Sequence, residues 1–145
     1  MKLNTASIAK LNGVHPDLVR VVLRCADDWK DAETGFIVTC GLRTLEEQKV
    51  LVAKGASKTM RSRHLTGHAV DLAATIDGKV RWDWNLYVRL AVQMRLAATK
   101  EKVPVEWGGS WTLLSNLPTK ITSANLSKSF PDGPHFQLPW GQYPK

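Results

Sequence analysis

The stretch from residue 62 to residue 73 constrains the fold of this chain more than any other part of its sequence. Within it, residues 67–73 form a short run bounded by a glycine and then by a turn, which predicts a β-strand. Because side chains alternate between the faces of a strand, a glycine and an alanine share a face with Asp71 and leave room above its carboxylate. His64 lies in a loop that can fold over that face, whereas His68 is one residue out of phase and should point away.

A second short motif, Asp132-Gly-Pro-His135, lies far downstream and leads into a predicted strand at residues 135–138. Histidine and carboxylate side chains from the two motifs together supply the donor set of a catalytic zinc site, which has three protein ligands and one position for water. The metal lowers the pKa of that water to about 7, and a nearby carboxylate can accept its proton. The sequence therefore predicts a metal-dependent hydrolase.

Each element of this pattern is weak when taken alone. An isolated histidine is most often a surface group or a satisfied core group. The six residues between His64 and Asp71 match neither of the compact zinc patterns, H-E-x-x-H and C-x2-C. The prediction depends on the conjunction of the two motifs in one chain.

The motifs resemble a known family. The pattern S-x-H-x-x-G-x-A-x-D, the later D-x-x-H, and Gly41-Leu-Arg43-Thr44 after the apolar run 36–40 are similar to the D-alanyl-D-alanine carboxypeptidase type of zinc peptidase. Within that family, the chain most resembles the phage endolysins that are L-alanyl-D-glutamate peptidases, over about residues 14–138. The resemblance implies a hedgehog/DD-peptidase-like fold and one zinc ion bound by His64, Asp71 and His135.

The same resemblance implies roles for further residues. Asp132 would act as the general base, and Arg43 would line the site and stabilise an oxyanion or hold a substrate carboxylate. Many relatives have Glu-x-x-His where this chain has Asp-x-x-His, and the endolysin branch is similar to this chain in using aspartate. Glu106 is the alternative acid, ranked below Asp132. Ser62, Glu106 and Trp107 are the candidate substrate contacts.

The implied function is hydrolysis of the L-alanyl-D-glutamate bond in peptidoglycan stem peptides, leading to lysis of a bacterial host. One alternative is a D-alanyl-D-alanine carboxypeptidase or dipeptidase that remodels the wall. The other is a binding module that has lost catalysis and grips the wall polymer through its basic surface.

Composition agrees with this interpretation. At 145 residues with 43% hydrophobic content, we expect one domain over residues 1–145 and no separate cell-wall-binding domain. The net charge of +7 favours polyanionic partners, and an anionic envelope fits better than nucleic acid because no nucleic-acid-binding motif is present. Cys25 and Cys40 are expected to be buried free thiols.

The sequence has no apolar run long enough to span a membrane and no signal peptide at its start. We therefore expect no stable membrane association. We also expect a monomer. It should stay in the host cytoplasm until a pore protein permeabilises the membrane and admits it to the wall.

The remaining patterns predict an α+β fold, with helices packed on a small antiparallel sheet. Thr44 and Glu47 form a capping box at the start of one helix, and residues 55–63 form a basic loop leading to His64. The predicted elements are helices at 16–30, 44–54 and 83–101, a strand at 36–40, a hairpin at 76–80, and a strand ending in a glycine turn within 104–111.

Five of the tryptophans divide into two predicted groups. Trp29 and Trp84 lie at helical spacing and should be core residues. Trp107, Trp111 and Trp140 lie near glycines or near the last strand, where aromatic side chains can wall a substrate cleft. Core packing is the competing interpretation for each of these three.

Overall fold

The computed structural model describes residues 1–57 and 59–144 of the chain. Over this part, short 3₁₀ turns at Arg63–Thr66, Leu114–Asn116 and Ser123–Asn125 connect the regular elements. Those elements are, in order, α1 (Thr5–Lys10), α2 (Pro16–Asp28), β1 (Thr34–Cys40), α3 (Leu45–Ala53), β2 (Ala69–Ile76), β3 (Lys79–Val80), α4 (Trp84–Glu101), β4 (Glu106–Trp107), β5 (Thr112–Leu113) and β6 (His135–Gln137).

Local sequence signals explain where the main helices begin. Pro16 occupies the first turn of α2, where its missing N–H is not needed, and the ring of His15 accepts a hydrogen bond from the Asp17 amide at 3.0 Å. The predicted capping box of α3 is confirmed. Thr44 Oγ1 accepts from the Glu47 amide at 3.1 Å, and the Glu47 carboxylate accepts from the Thr44 amide at 3.0 Å.

The strands form one antiparallel sheet in the order β1-β2-β6-β4-β5, and β3 pairs with the outer half of β2. The register places Asp71 opposite Cys40 on β1 and opposite His135 on β6. Next to β6, Glu106 on β4 lies opposite Gln137. Strand β2 is therefore an interior strand, and Asp71 on it has a neighbouring strand on both sides.

The hydrophobic core lies between the sheet and helices α2 and α4, which pack against each other. Alternation along β2 and β6 sends one set of side chains into this core and the other set to the opposite face. The core-facing set is nearly inaccessible and includes Val70, Leu72 and Phe136 from the strands and Leu18, Val22, Leu90 and Met94 from the helices. Asp71, His135 and Gln137 belong to the opposite set.

The predicted α+β class, with helices packed on a small antiparallel sheet, is confirmed. Two strand predictions had the wrong limits. Strand β2 begins at Ala69 because Gly67 has a φ of +76° and ends the preceding 3₁₀ turn. The strand predicted within 104–111 is limited to the two residues of β4; the predicted glycine turn follows it and leads to β5, which pairs with β4 as a hairpin.

Other details of the fold also differ from the predictions. Helix α1 was not predicted. Trp84 is 41% exposed at the start of α4, so its assignment to the core was wrong, whereas Trp29 is buried as expected. Cys25 and Cys40 are both free, but Cys40 is only half-buried. Within the described ranges, no helix combines the length and the apolar character needed to cross a membrane.

Candidate metal centre and cleft

The candidate site is built on a row of three side chains across adjacent strands. Cys40, Asp71 and His135 lie opposite one another on β1, β2 and β6. Val70 and Leu72, the neighbours of Asp71, point into the core, so the strand itself turns the Asp71 carboxylate away from the helices. The sequence argument on strand parity predicted this orientation.

His64 reaches the same face from the 3₁₀ turn that precedes β2. Ser62 caps this turn, because its hydroxyl accepts a hydrogen bond from the His64 amide at 3.1 Å. Gly67 ends the turn in the left-handed region, where a side chain would be strained and would meet the main chain of Gly13. The Arg43 amide also donates to the His64 carbonyl at 2.9 Å, which ties the turn to the end of β1.

Two histidine nitrogens lie at equal distances from one oxygen of Asp71. Oδ1 of Asp71 is 3.3 Å from Nε2 of His64 and 3.3 Å from Nδ1 of His135. Nδ1 of His64 lies 2.8 Å from the carbonyl oxygen of Gly41, the bond expected if that nitrogen carries the proton. Nε2 of His64 is buried, and within the described residues its contact with Oδ1 of Asp71 falls short of hydrogen-bond geometry. A buried polar atom without a well-formed hydrogen bond is costly unless something fills the position.

The charges of the site reinforce one another in the metal-free chain. Burial alone would raise the pKa of Asp71, but His135 and His64 outweigh it and hold the pKa well below its usual value. Burial likewise opposes the protonation of His64, yet Asp71 and Cys40 outweigh it and raise the pKa of His64 to about 10. His64 and Asp71 therefore form an ion pair in the metal-free chain. A bound cation would take the place of the proton on His64.

Asp132 stands beside Asp71 and His135, and donor atoms of the three side chains lie within 4.8 Å of one another. Burial and the neighbouring Asp71 carboxylate raise the pKa of Asp132 above its ordinary value. The turn that holds Asp132 packs on Gly108: the Asp132 amide donates to the Gly108 carbonyl at 2.9 Å, and the Gly108 amide donates to the His135 carbonyl at 2.7 Å. Asp132 thus lies beside Asp71 and His135 and has an elevated pKa.

Arg43 approaches the site from the end of β1. Its Nη2 lies 3.8 Å from Oδ2 of Asp71 and donates to Sγ of Cys40 at 3.3 Å. Its Nη1 donates to Oε1 of Gln48 at 2.7 Å. Gln48 is fully buried, and its amide donates to the hydroxyl of Ser57 at 2.9 Å in the basic loop. The guanidinium is therefore held in one orientation, with its charge beside Asp71.

These groups line a cleft of about 1010 Å³. Arg43, Asp71, Asp132 and His135 line it, together with Ser62. Of the predicted aromatic walls, Trp111 and Trp140 line the cleft and are 41% and 39% exposed. Part of the basic loop also borders it, although Lys58 in that loop lies outside the described residues.

Trp107 is fully buried, and its indole N–H donates to the Gly133 carbonyl at 2.8 Å, so its prediction as a substrate contact was wrong. Glu106 does not border the cleft; its carboxylate accepts from the Gln137 amide at 3.0 Å, behind His135. His68 is turned away as predicted, with Nδ1 2.6 Å from Oγ1 of Thr66.

The sequence argument missed three polar side chains that contact the site. Cys40 lies 3.6 Å from Nδ1 of His64, and it joins His64 and Asp71 in a second possible ligand group. Gln48 holds Arg43, and Gln137 contacts Nε2 of His135 at 2.8 Å. The position of Cys40 directly before Gly41-Leu-Arg43 was the one signal that could have placed it near the site.

Comparisons with known proteins agree on one family. A family model described as phage L-alanyl-D-glutamate peptidase matches residues 1–139. The L-alanyl-D-glutamate peptidase of Listeria phage A118 is 30% identical over 138 residues, which are 94% of this chain and 42% of that protein. The enzyme of the same name from Escherichia phage T5 is 25% identical over 141 residues, covering 94% of this chain and 97% of that one.

A solved structure is also similar. The crystal structure of the Serratia marcescens L-Ala D-Glu endopeptidase ChiX matches with a TM-score of 0.79 and 40% sequence identity, over 100% of this chain and 95% of the other. This chain spans less than half the length of the Listeria phage relative, but nearly all of the other two. The chain therefore belongs to the family of phage L-alanyl-D-glutamate peptidases.

Proposed function

We propose that this chain is a zinc-dependent endolysin that hydrolyses the L-alanyl-D-glutamate bond of peptidoglycan stem peptides. The observation that carries the proposal is the placement of two histidine nitrogens around one oxygen of Asp71, within a chain of this family. Membership of the family supports the reaction and the substrate class. The donor set supports the metal.

His64, Asp71 and His135 would hold the zinc ion. Each histidine nitrogen lies 3.3 Å from Oδ1 of Asp71, and Nε2 of His64 is buried without a well-formed hydrogen bond among the residues described. His64 and His135 belong to separate candidate ligand groups that share Asp71, so this carboxylate is what links them around a common ion. Cys40 lies near both His64 and Asp71, but we do not include it, because it contacts His64 at Nδ1, the nitrogen that faces the Gly41 carbonyl. Two imidazoles and one carboxylate form a donor set that suits zinc.

Bound zinc would act as a Lewis acid and lower the pKa of a bound water to about 7. Asp132 would accept a proton from the attacking water and deliver it to the leaving amine. Its raised pKa moves it closer to neutral pH, where a general acid–base group is most effective. This assignment favours Asp132 over Glu106, because Glu106 is hydrogen-bonded to Gln137 and lies off the cleft.

Arg43 would hold a substrate carboxylate or stabilise the developing oxyanion. Its guanidinium is fixed by Gln48 and by Cys40 while it faces the cleft, so little order is lost when a ligand binds. The D-glutamate and diaminopimelate residues of a stem peptide carry carboxylates that match this charge. Trp111 and Trp140 supply apolar walls beside it. Ser62 would act through the turn it caps, as well as in the cleft that it lines.

The proposal also covers the domain organisation of the protein, its oligomeric state and its route to the cell wall. The chain works as one domain and as a monomer, and it reaches the wall after a pore protein has permeabilised the host membrane. Its net charge of +7 favours attraction to the anionic envelope.

The test is mass spectrometry of purified peptidoglycan digested with the protein. We expect glycan-linked L-alanine and free peptides that begin with D-glutamate, with loss of both after chelation and recovery on addition of zinc. Release of terminal D-alanine would instead favour the carboxypeptidase alternative. Wall binding with no cleavage, by protein that elemental analysis shows to be loaded with zinc, would favour the inactive binding module.

A further inference from the structure

We propose that Gln137 and Glu106 are positioning residues that fix the tautomer of His135. They hold the proton on Nε2 and so leave the lone pair of Nδ1 facing Asp71. The role of this arrangement in metal binding rests on the proposed function, but the tautomer itself does not.

The sheet register brings the three side chains together. His135 and Gln137 are two residues apart on β6 and therefore share a face, and Gln137 lies opposite Glu106 on β4. Nε2 of His135 is 2.8 Å from Oε1 of Gln137, and Nε2 of Gln137 is 3.0 Å from Oε1 of Glu106. The contacts form a continuous chain that leads away from the cleft.

The direction of these hydrogen bonds follows from their chemistry. An ionised carboxylate only accepts, so the amide NH₂ of Gln137 must face Glu106 and its carbonyl oxygen must face His135. A carbonyl oxygen only accepts, so Nε2 of His135 must carry a hydrogen. Asp71 faces Nδ1 from 3.3 Å and favours a proton there in the metal-free chain, so Gln137 and Glu106 oppose it by keeping the proton of a neutral imidazole on Nε2. The lone pair of Nδ1 can then face a cation held by Asp71.

The other histidine of the site is oriented differently. Nδ1 of His64 faces the main-chain carbonyl of Gly41, which no side-chain substitution removes. His135 relies instead on two replaceable side chains. Metal-ligating histidines generally donate their second ring N–H to a carboxylate or carbonyl, and losing that partner lowers metal affinity by about 10- to 100-fold. Glu106 therefore acts on the site from a distance, through Gln137.

The primary experiment is ¹⁵N-imidazole NMR of the metal-free protein, recorded over a pH series. We expect the wild-type ring to be protonated at Nε2. Glu106→Gln should allow the Gln137 amide to turn and produce a tautomer mixture, and Gln137→Leu should remove the preference. Zinc affinity, measured by chelator competition, should fall by about 10- to 100-fold in both variants.

A paired exchange of residues 106 and 137 tests the proposed direction of the hydrogen bonds. Gln137→Glu combined with Glu106→Gln puts an acceptor next to His135 and a donor behind it, so it should restore the Nε2-protonated tautomer and most of the zinc affinity. Glu46→Gln is the control, because Glu46 is exposed on α3 and away from this chain of contacts. It should leave both measurements at wild-type values.

Unchanged tautomer in Glu106→Gln and Gln137→Leu would overturn the proposal, as would failure of the paired exchange to restore it. If Gln137→Leu does not fold, the nearly isosteric Glu106→Gln still decides the question. A protein with the expected tautomer shifts but no peptidoglycan cleavage would refute the proposed function and leave this inference intact.

Discussion

Gly108→Ala tests the close packing that positions Asp132, the proposed general base, beside His135, a proposed metal ligand. A Cβ at residue 108 would overlap the Asp132 carbonyl oxygen and lie 2.8 Å from Cβ of His135, whereas ordinary contact begins at 3.4 Å. The 132–135 turn would have to retreat by about 1 Å to relieve the tighter of these two contacts, the one with the Asp132 carbonyl oxygen. Since a misplacement of about 1 Å can cost about 100-fold in rate, we expect kcat to fall on the order of 100-fold.

The same overpacking should lower the free energy of unfolding by about 1–3 kcal/mol. The assays are kcat on a soluble muropeptide, zinc content by elemental analysis, and thermal unfolding. Gly141→Ala is the matched control, because its Cβ would meet no described atom within 4 Å and its φ is not in the left-handed region. A Gly108→Ala protein with zinc bound and kcat within about twofold of wild type would refute the claim that this packing positions the turn.

Three further predictions concern the ligands and the base. Asp132→Asn should keep zinc and fold but lose about 10²–10⁴-fold in kcat, and near-normal turnover would move the role of base elsewhere. His135→Ala should lose zinc and His68→Ala should retain it by elemental analysis; the reverse result would refute the ligand assignment. The raised pKa of His64, about 10, means that zinc binding displaces a proton below that pH. Apparent zinc affinity should therefore rise about tenfold per unit between pH 7 and pH 9 in chelator competition, and a flat profile would contradict this.

Much of the candidate metal site was predictable from sequence, because the alternation of side chains along a strand depends only on neighbouring residues. It put Asp71 on one face and His68 on the other, and the structure agrees. The capping box at Thr44 was predictable for the same reason, since its two hydrogen bonds join residues three apart. These signals depend only on neighbours in sequence.

The parts that were missed depend on contacts between distant elements. Helix α1 has six residues and is held partly by its buried Ser7, whose hydroxyl accepts from the Val38 amide at 2.9 Å on β1. Glu106 and Trp107 were judged by their nearness to glycines, which did not show that one faces Gln137 and the other lies beneath Gly133. Gln48 gave no local signal, because its partners Arg43 and Ser57 lie on separate segments.

The position of β2 between β1 and β6 also has a consequence for folding. Asp71 and His135 are 64 positions apart in sequence, and they meet only when β6 docks beside β2. Closing so long a loop has a large entropic cost, which burial of side chains such as Phe136 and Val70 must offset before a metal can be held by both residues. We therefore expect zinc to bind a chain that has already folded, unlike the small metal-dependent domains in which binding drives folding. Refolding rates should accordingly be insensitive to zinc, whereas unfolding should slow as zinc concentration rises.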